Sequence, residues 1–311
     1  MYLVTGGAGF IGSNIVRRLA ADGEKVRVLD DFSTGKRENL EGIGGIELAE
    51  GSLTDPAAVR EALEGVKYLL HQGAIPSVPR SVADPIKSNE ANITGTLNLL
   101  VEAEKAGVKR LVFAASSSAY GDTEVLPKEE KMPSDPLSPY AVGKYTGELY
   151  AKVFASIYKL PTVSLRYFNI FGPYQDPESE YAAVIPKFIK LMLKSEQPVI
   201  YGDGEQSRDF TYIDNAVEAN LLACRSEKVG KGEAINVACG ERYSLNDLVR
   251  MLNEIMGTDI QPRYSEAQPG DVKHSLADIS RASQLLGYSV AVDFREGLRR
   301  TAEWFRENKD D

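Results

Sequence analysis

Apolar runs and helical stripes alternate along the first half of the chain. "YLVTG" reads as a strand, and "IGSNIVRRLAADG" after it repeats Ile11, Ile15 and Leu19 at helical spacing before Gly23 stops the run. "KVRVLD" is a second strand, and "VKYLLHQ" and "VKRLVFAAS" are two further apolar runs. Between those two, "DPIKSNEANITGTLNLLVEAEKAG" predicts one long helix, opened by Asp84–Pro85 and closed by Gly107. Strands separated by helices in this way imply an α/β protein with a doubly wound parallel sheet. Past "LPTVSLRYFNIFG" the texture changes: Pro and Gly become frequent, strands shorten to "PVIYG" and "AINVA", and helices such as "SLNDLVRMLNEIMG" stand apart. The pattern predicts a first domain over 1–170 and a smaller α/β domain over 171–311. A segment around 205–237, containing "RDFTYIDNAVEANLLACR", is expected to fold back onto the first.

With 43% hydrophobic and 26% charged residues, the composition is that of an ordinary soluble protein. A formal charge of −9 argues against nucleic acid as the main partner. No apolar run approaches the ~18–20 residues needed to span a bilayer, and "YLVTGGAGF" leaves no room for a secretory leader. Cys224 and Cys239 stand alone, and His71 and His274 are far apart, which speaks against a disulfide or a metal cluster. These features together predict a cytoplasmic protein whose chemistry needs no metal.

Gly6, Gly9 and Gly12 in "TGGAGFIG" follow a strand and open a helix. Glycines there let the backbone approach a pyrophosphate at the helix N-terminus, where free N–H groups and the dipole favour an anion. A tight strand–helix turn with no ligand is the bland alternative. Asp30 shifts the balance, because it ends the next strand at the distance where a carboxylate can take both ribose hydroxyls of an adenosine. Asp31 is the competing candidate, less favoured by strand alternation. A carboxylate repels a 2′-phosphate and no arginine adjoins it, so the cofactor is expected to be NAD, held on a Rossmann-type domain.

In "SPYAVGKY", Tyr140 lies one helical turn before Lys144. A free tyrosine titrates near ~10 and is a poor base at neutral pH. A nearby ammonium favours the phenolate and is expected to lower that value. "FAASSSAYG" ends a strand with Ser116, Ser117 and Ser118, at the carboxyl edge where open α/β sheets bind ligands. A solvent-facing helix pair beside a polar strand end is the plain alternative, and the glycine loop and Asp30 argue against it.

Seven stretches now carry a resemblance: "TGGAGFIGS", "HQGAIPSVPRSVADPIKSNEANITGT", "ASSSAYGD", "LSPYAVGKYTGELY", "LRYFNIFGP", "YGDGEQSRDFTYIDN" and "PGDVKHSLADIS". From residue 4 to about 280 the chain resembles an extended short-chain dehydrogenase/reductase, and within that group the UDP-hexose 4-epimerases. "VPRS" and "KHSLADIS" are most similar to the branch acting on UDP-N-acetylglucosamine. The resemblance implies that Tyr140 is the catalytic base, that Ser116 bonds the sugar 4-hydroxyl, and that Lys144 binds the nicotinamide ribose while tuning Tyr140. For the cofactor it implies contacts from Phe10 and Ile11, from Ser33, Thr34 and Gly35, and from Ser52 and Leu53. Gln72, Gly73, Ala74 and Tyr167 complete that set.

For the UDP-sugar, the resemblance places Ser77, Ser117 and Ser118 by the hexose and Asn169 and Arg208 by the diphosphate. It sets Val199 and Tyr201 where the family holds uracil, and counts Ala183, Val184, Asp271 and Ser275 among the substrate contacts. Ser275 stands where some glucose-restricted relatives place a tyrosine, so room for an N-acetyl group is implied. Two positions depart from the family pattern. Gln268 stands where many relatives carry a second diphosphate arginine, so either Arg208 carries more of the charge or another cation such as Arg263 or Lys273 reaches in. Ser52 stands where an aspartate often meets the adenine. A 4,6-dehydratase would need an Asp-Glu pair at Ser117 and Ser118, and a UDP-glucuronate epimerase tends to have threonine at Asn169. A non-enzymatic NAD-sensing scaffold predicts a decayed catalytic set, whereas Ser116, Tyr140 and Lys144 are all present. Finally, the resemblance implies a homodimer built on the helices at 84–107 and 140–159, with Leu97, Leu99, Leu100, Leu149 and Val153 as candidate contacts.

Overall fold

Tyr2–Thr5 is buried at all four positions and forms a strand covered on both faces, β1, as expected at the centre of a parallel sheet. A computed structural model describes residues 1–177, 183–266 and 273–308. From β1 the chain passes through α1 (Phe10–Ala21), β2 (Val26–Asp30), β3 (Ile46–Glu50), α2 (Pro56–Ala62) and β4 (Tyr68–His71). It continues with α3 (Val78–Ala83), α4 (Pro85–Asn89), α5 (Gly95–Lys105), β5 (Arg110–Ser116), α6 (Pro139–Ile157) and β6 (Thr162–Tyr167). β7 (Ile170–Phe171), α7 (Val184–Leu193), β8 (Val199–Tyr201), β9 (Ser207–Arg208), β10 (Thr211–Tyr212) and α8 (Ile213–Arg225) come next. The chain ends with β11 (Lys231–Val237), β12 (Tyr243–Ser244), α9 (Leu245–Met256), β13 (Arg263–Ser265), α10 (Ser280–Leu286) and α11 (Phe294–Glu307).

One seven-stranded sheet runs in the order β11-β6-β5-β4-β1-β2-β3, with every pairing parallel. This is the doubly wound α/β arrangement. Apolar side chains fill both faces: Leu3, Leu29, Leu69, Leu111 and Phe113 pack under α2, α5 and α6, while Val4, Val28, Leu70 and Val112 pack under α1 and α8. Three two-stranded pairs, β7–β10, β8–β13 and β9–β12, stand beyond the carboxyl ends of the main strands.

Three readings of the sequence change on contact with the structure. "AINVA" belongs to a seven-residue strand, β11, which pairs with β6 and so ends the main sheet. At the opposite edge β3 is a strand that the hydrophobic pattern did not single out, because none of its five residues is buried. The long helix at 84–107 is interrupted by a π-turn at Glu90–Thr94. There the buried Asn92 side chain accepts from the Ile75 N–H at 2.8 Å and donates to the Ile75 carbonyl at 3.1 Å. A buried amide needs such partners, and the extra residue in the turn brings it to them.

Candidate active site

The turn after β1 is as tight as its glycines permit. Gly6 has φ of 65°, and a Cβ there would lie 2.6 Å from Gly73 Cα; one at Gly12 would run into the Gly6 carbonyl oxygen. Gly9 caps α1 with no side-chain bond, so the first-turn N–H groups stay available to a ligand. At the end of β2, the buried Asp30 carboxylate accepts from Ala8 N–H and Phe32 N–H, each at 2.9 Å. Burial pushes its acid up; those two N–H groups pull it back. Asp31 is exposed and spends Oδ1 on the Ser33 N–H at 3.0 Å.

A cleft of about 1410 Å³ opens over this turn. Gly6, Gly9, Phe10, Ile11 and Gly12 form its floor, with Asp30, Asp31, Ser33, Thr34 and Gly35 beside them. Ser52, Leu53, Gln72, Gly73 and Ala74 follow along the wall, and Tyr140, Lys144 and Tyr167 close the far end. The cleft thus brings together every residue that the sequence assigns to a dinucleotide. An uncapped helix terminus, a glycine cradle that a Cβ would fill, and a carboxylate at the strand end are the groups that a dinucleotide requires, so the site fits NAD.

Close packing places the catalytic helix. A Cβ at Gly147 would collide with the Phe113 ring, so glycine lets α6 lie directly on β5. Arg166 then fastens α6 to β6, donating from Nη2 to Glu148 Oε1 at 2.7 Å and from Nε to Oε2 at 2.9 Å. Lys144 is buried, with Nζ donating to the Ala114 carbonyl at 2.8 Å, and burial lowers its pKa to about 8. Ser116 Oγ accepts from the Ser118 N–H at 3.1 Å and the Ser118 hydroxyl at 2.8 Å. The Ser116 proton is therefore left to face the Tyr140 phenol.

One expectation is corrected here. The Tyr140 pKa is raised, not lowered: burial raises it, the Ser116 hydroxyl opposes the rise, and Lys144 has no part in the shift. The Lys144 ammonium turns instead to the Ala114 carbonyl of β5.

The sugar-side candidates are more dispersed. Ser77 and Ala183 line the cleft, whereas Ser116, Ser117, Ser118, Asn169, Val184, Val199, Tyr201, Arg208 and Ser275 do not. Asp271 and Gln268 lie outside the described residues. Asn169 (φ of 39°) and Ser275 nevertheless meet, Asn169 Nδ2 donating to Ser275 Oγ at 3.2 Å. Arg208 Nη1 donates to the carbonyls of Ser207 and Lys273, at 3.0 and 3.1 Å. Of the two cations that could stand in for an arginine at Gln268, Lys273 is therefore the one beside Arg208. Arg263 lies instead on β13, opposite Val199 of β8.

Three buried polar residues escaped the sequence reading. Asn220 binds both Gln72 and the Tyr167 hydroxyl, Asn236 accepts from the Tyr120 hydroxyl at 2.7 Å, and Asp209 bonds to several main-chain groups. The only signal was a polar residue inside an otherwise apolar stretch, as Asn236 in "AINVA"; Asp209 in "RDFTYI" has polar neighbours and gave none.

Known proteins share this geometry. The profile of the NAD dependent epimerase/dehydratase family matches residues 2–238. A putative UDP-glucose 4-epimerase of Methanocaldococcus jannaschii is 36% identical over 310 residues, covering 99% of each chain. Among solved structures, the UDP-N-acetylglucosamine 4-epimerase from Methanobrevibacter ruminantium M1, in complex with UDP-N-acetylmuramic acid, superposes with a TM-score of 0.94 at 42% identity. That match covers 99% of this chain and 98% of the other. The UDP-glucose 4-epimerase of Thermotoga maritima with UDP-glucose gives a TM-score of 0.94 at 39% identity, over 99% of both chains.

Proposed function

The chain belongs to the NAD-dependent epimerase/dehydratase family, and from that premise we propose that it inverts C4 of a UDP-hexose. NAD is its cofactor and isomerisation its reaction class. Within our proposal the main substrates are UDP-N-acetylglucosamine and UDP-N-acetylgalactosamine, with UDP-glucose and UDP-galactose also accepted. The observation that carries this reading is the meeting of the Tyr140 phenol with the Ser116 hydroxyl beside a cleft continuous with the glycine turn.

Bound in that cleft, NAD supplies a hydride acceptor that becomes the donor for the return. The protein's part is to move a proton and hold the sugar. Tyr140 takes the proton of the 4-hydroxyl and later gives it back. Ser116, its lone pairs already engaged by Ser118, has one proton to give: it faces the Tyr140 phenol in the free site and turns to the 4-oxygen of a bound sugar, assisting Tyr140. Lys144 keeps its charge near neutral pH and has two N–H groups left for ligand hydroxyls. Ser117 and Ser118 can neither add nor remove a proton as an acid pair would, so no elimination of water follows. Inverting the centre requires the sugar to present both faces, which suits firm anchoring of UDP and short polar side chains around the hexose. Support for the acetamido sugar is the 42% identity to the enzyme named for UDP-N-acetylglucosamine, together with the small side chain of Ser275.

The test is a direct assay of the NAD-loaded protein on the acetylated pair, the plain pair and UDP-glucuronate. Interconversion should be fastest for the acetylated pair. Activity confined to UDP-glucuronate would move the substrate assignment, and failure on all three would sink the reading.

We further infer a cytoplasmic homodimer. Val82, Ile86, Val142, Leu149, Val153 and Ile157 are exposed on α3, α4 and α6, a row of large apolar side chains suited to a second copy. Leu99 and Leu100 drop out of that surface, since they are 0% and 1% exposed beneath the sheet, and Leu97 is partly buried there. Light scattering at micromolar concentration should give a dimer, and Val153→Glu should give a monomer.

A further inference from the structure

Asp209 carries a carboxyl group with 0% exposure that the reaction above does not use. Its Oδ1 accepts from the Cys239 N–H at 2.9 Å, and its Oδ2 from the Gly240 and Ala277 N–H groups, both at 3.1 Å. Its main chain is engaged as well. The carbonyl accepts from Asn169 Nδ2 at 3.0 Å, and the Ser275 hydroxyl oxygen accepts from its N–H at 3.4 Å. One residue therefore ties four distant segments: the turn after β6, the end of β9, the loop after β11 and the stretch before α10. Three of these segments bear the side chains assigned above to the sugar nucleotide, namely Asn169, Arg208 and Ser275.

The bonding pattern is that of a preorganising clamp. Main-chain N–H groups converge on a buried acceptor, and a carboxylate can take all of them at once where a neutral amide cannot. Strand pairing already joins some of these segments, since β7 pairs with β10 and Ser207 bridges His274, whereas the N–H groups of Cys239, Gly240 and Ala277 are held by the carboxylate itself. Without the carboxylate, the end of β9 would keep those pairings and its main-chain bonds to Asn169 and Ser275 yet lose its hold on the loop after β11 and on Ala277. The residues around the glycine turn, by contrast, lie on β1, α1 and β2 and make no bond to Asp209.

We propose that Asp209 is the positioning residue of the sugar-nucleotide site, its carboxylate setting the strand end that bears Arg208, and with it Asn169 and Ser275, against the loop after β11 and the stretch before α10, while leaving the NAD site untouched. The proposal rests on the functional reading above. UDP is the natural probe, because it tests anchoring without chemistry.

In the NAD-loaded full chain, assayed above neutral pH where Asp209 is ionised, Asp209→Asn keeps the shape and removes the charge-assisted acceptor. It is expected to raise both the Kd for UDP and the KM for the UDP-sugar by ~10-fold or more, with kcat changed by less than ~3-fold and bound NAD per chain unchanged. UDP affinity and KM within ~2-fold of wild type, or an equal fall in kcat and NAD content, overturns the proposal. Should Asp209→Asn fail to fold, hydrogen exchange of the wild type decides. UDP should slow exchange in the segments 205–212, 236–241 and 273–279 together, and protection confined to 205–212 overturns the proposal. A wild-type protein that does not bind UDP overturns the functional reading, and this inference with it. Normal wild-type binding with an indifferent Asp209→Asn overturns the inference alone.

Discussion

Along the nucleotide side of the cleft, the lining comes from short runs of neighbouring residues: the turn at Gly6–Gly12, the first turn of α1, and the strand ends at Asp30 and Gln72–Ala74. On the sugar side the candidate groups are side chains from residues 77, 116, 169, 208 and 275, brought together by buried polar bonds such as those of Asn92 and Asp209. The first side is specified by local geometry, since a glycine turn between a buried strand and a helix can close in few ways. The second depends on long-range closure, and any one clamp affects several contacts. Substitutions should therefore act differently on the two sides: on the first by blocking space, on the second by loosening position.

Tyr140 stands where the two sides meet and should show the largest effect. Tyr140→Phe removes the proton carrier and leaves the ring, the Lys144–Ala114 bond and the glycine turn in place. Turnover should fall by ~10²-fold or more while UDP still binds, since general base catalysis supplies a factor of that order. Near wild-type turnover in the variant would end the assignment.

Gly12→Ala probes the nucleotide side alone. The added Cβ would strike the Gly6 carbonyl, so the turn must open, at a cost of about 1–3 kcal/mol for overpacking in a close-packed site. The purified variant should carry little NAD but should still bind UDP. Loss of both ligands to the same degree would show that the two sides are not independent.

This division also explains what could be read from the chain. The strands of the central sheet were visible because both their faces are apolar, and the glycine turn was visible because its constraints fall within seven residues. β3 was hidden by its exposure at the sheet edge, and β11 by the absence of any local mark distinguishing an edge strand of the main sheet from a short outlying one. Tyr140 and Lys144 could be paired from their spacing on one helix, but the direction of the Lys144 ammonium could not, because it depends on how closely Gly147 lets α6 approach Phe113. Asp209 gave no warning and Asn236 only its place in an apolar run, since a buried polar residue declares its role through partners far away in sequence.

The two sides should also respond in opposite ways to pH. His71, 1% exposed between Thr5 and Thr96, has its pKa lowered to about 3 by burial and then by the Lys144 charge. Between about 3 and its unfolded value near 6.5, the unfolded chain binds the extra proton, so this group makes stability rise with pH. The Asp209 carboxyl is pushed up to about 7 by burial, against the pull of its three N–H donors. Between 3.8 and about 7 the folded chain holds the extra proton, so this group makes stability fall as pH rises. Each slope is at most about 1.4 kcal/mol per pH unit. Urea unfolding across that range should show the wild-type advantage over His71→Gln growing with pH and the advantage over Asp209→Asn shrinking. Parallel trends for the two variants would contradict the signs.

The smallest expected effect comes from an ion pair that spans the cleft. Lys36 Nζ, on the loop after β2, lies 3.1 Å from Asp176 Oδ2 on the chain that follows β7. Nearby, the Arg17 guanidinium sits 4.2 Å above the Tyr174 ring, and Asn14 Nδ2 donates to the Pro173 carbonyl at 3.1 Å. Residues 174–177 thus lie against the loop that borders the adenosine end of the cleft, and Lys36 and Asp176 both line it. Both side chains are well exposed, so the pair is worth no more than about 1 kcal/mol and is screened by salt. Asp176 has a further interaction, which limits the loss when Lys36 is removed. Lys36→Ala should accordingly speed NAD release by a factor of about 2–5 at low ionic strength, with UDP affinity unchanged. In ~0.5 M salt the wild-type rate should approach that of the variant. A variant that releases NAD no faster at low salt would show that the adenosine end is held by the glycine turn and Asp30 alone, which would sharpen the contrast between the two sides.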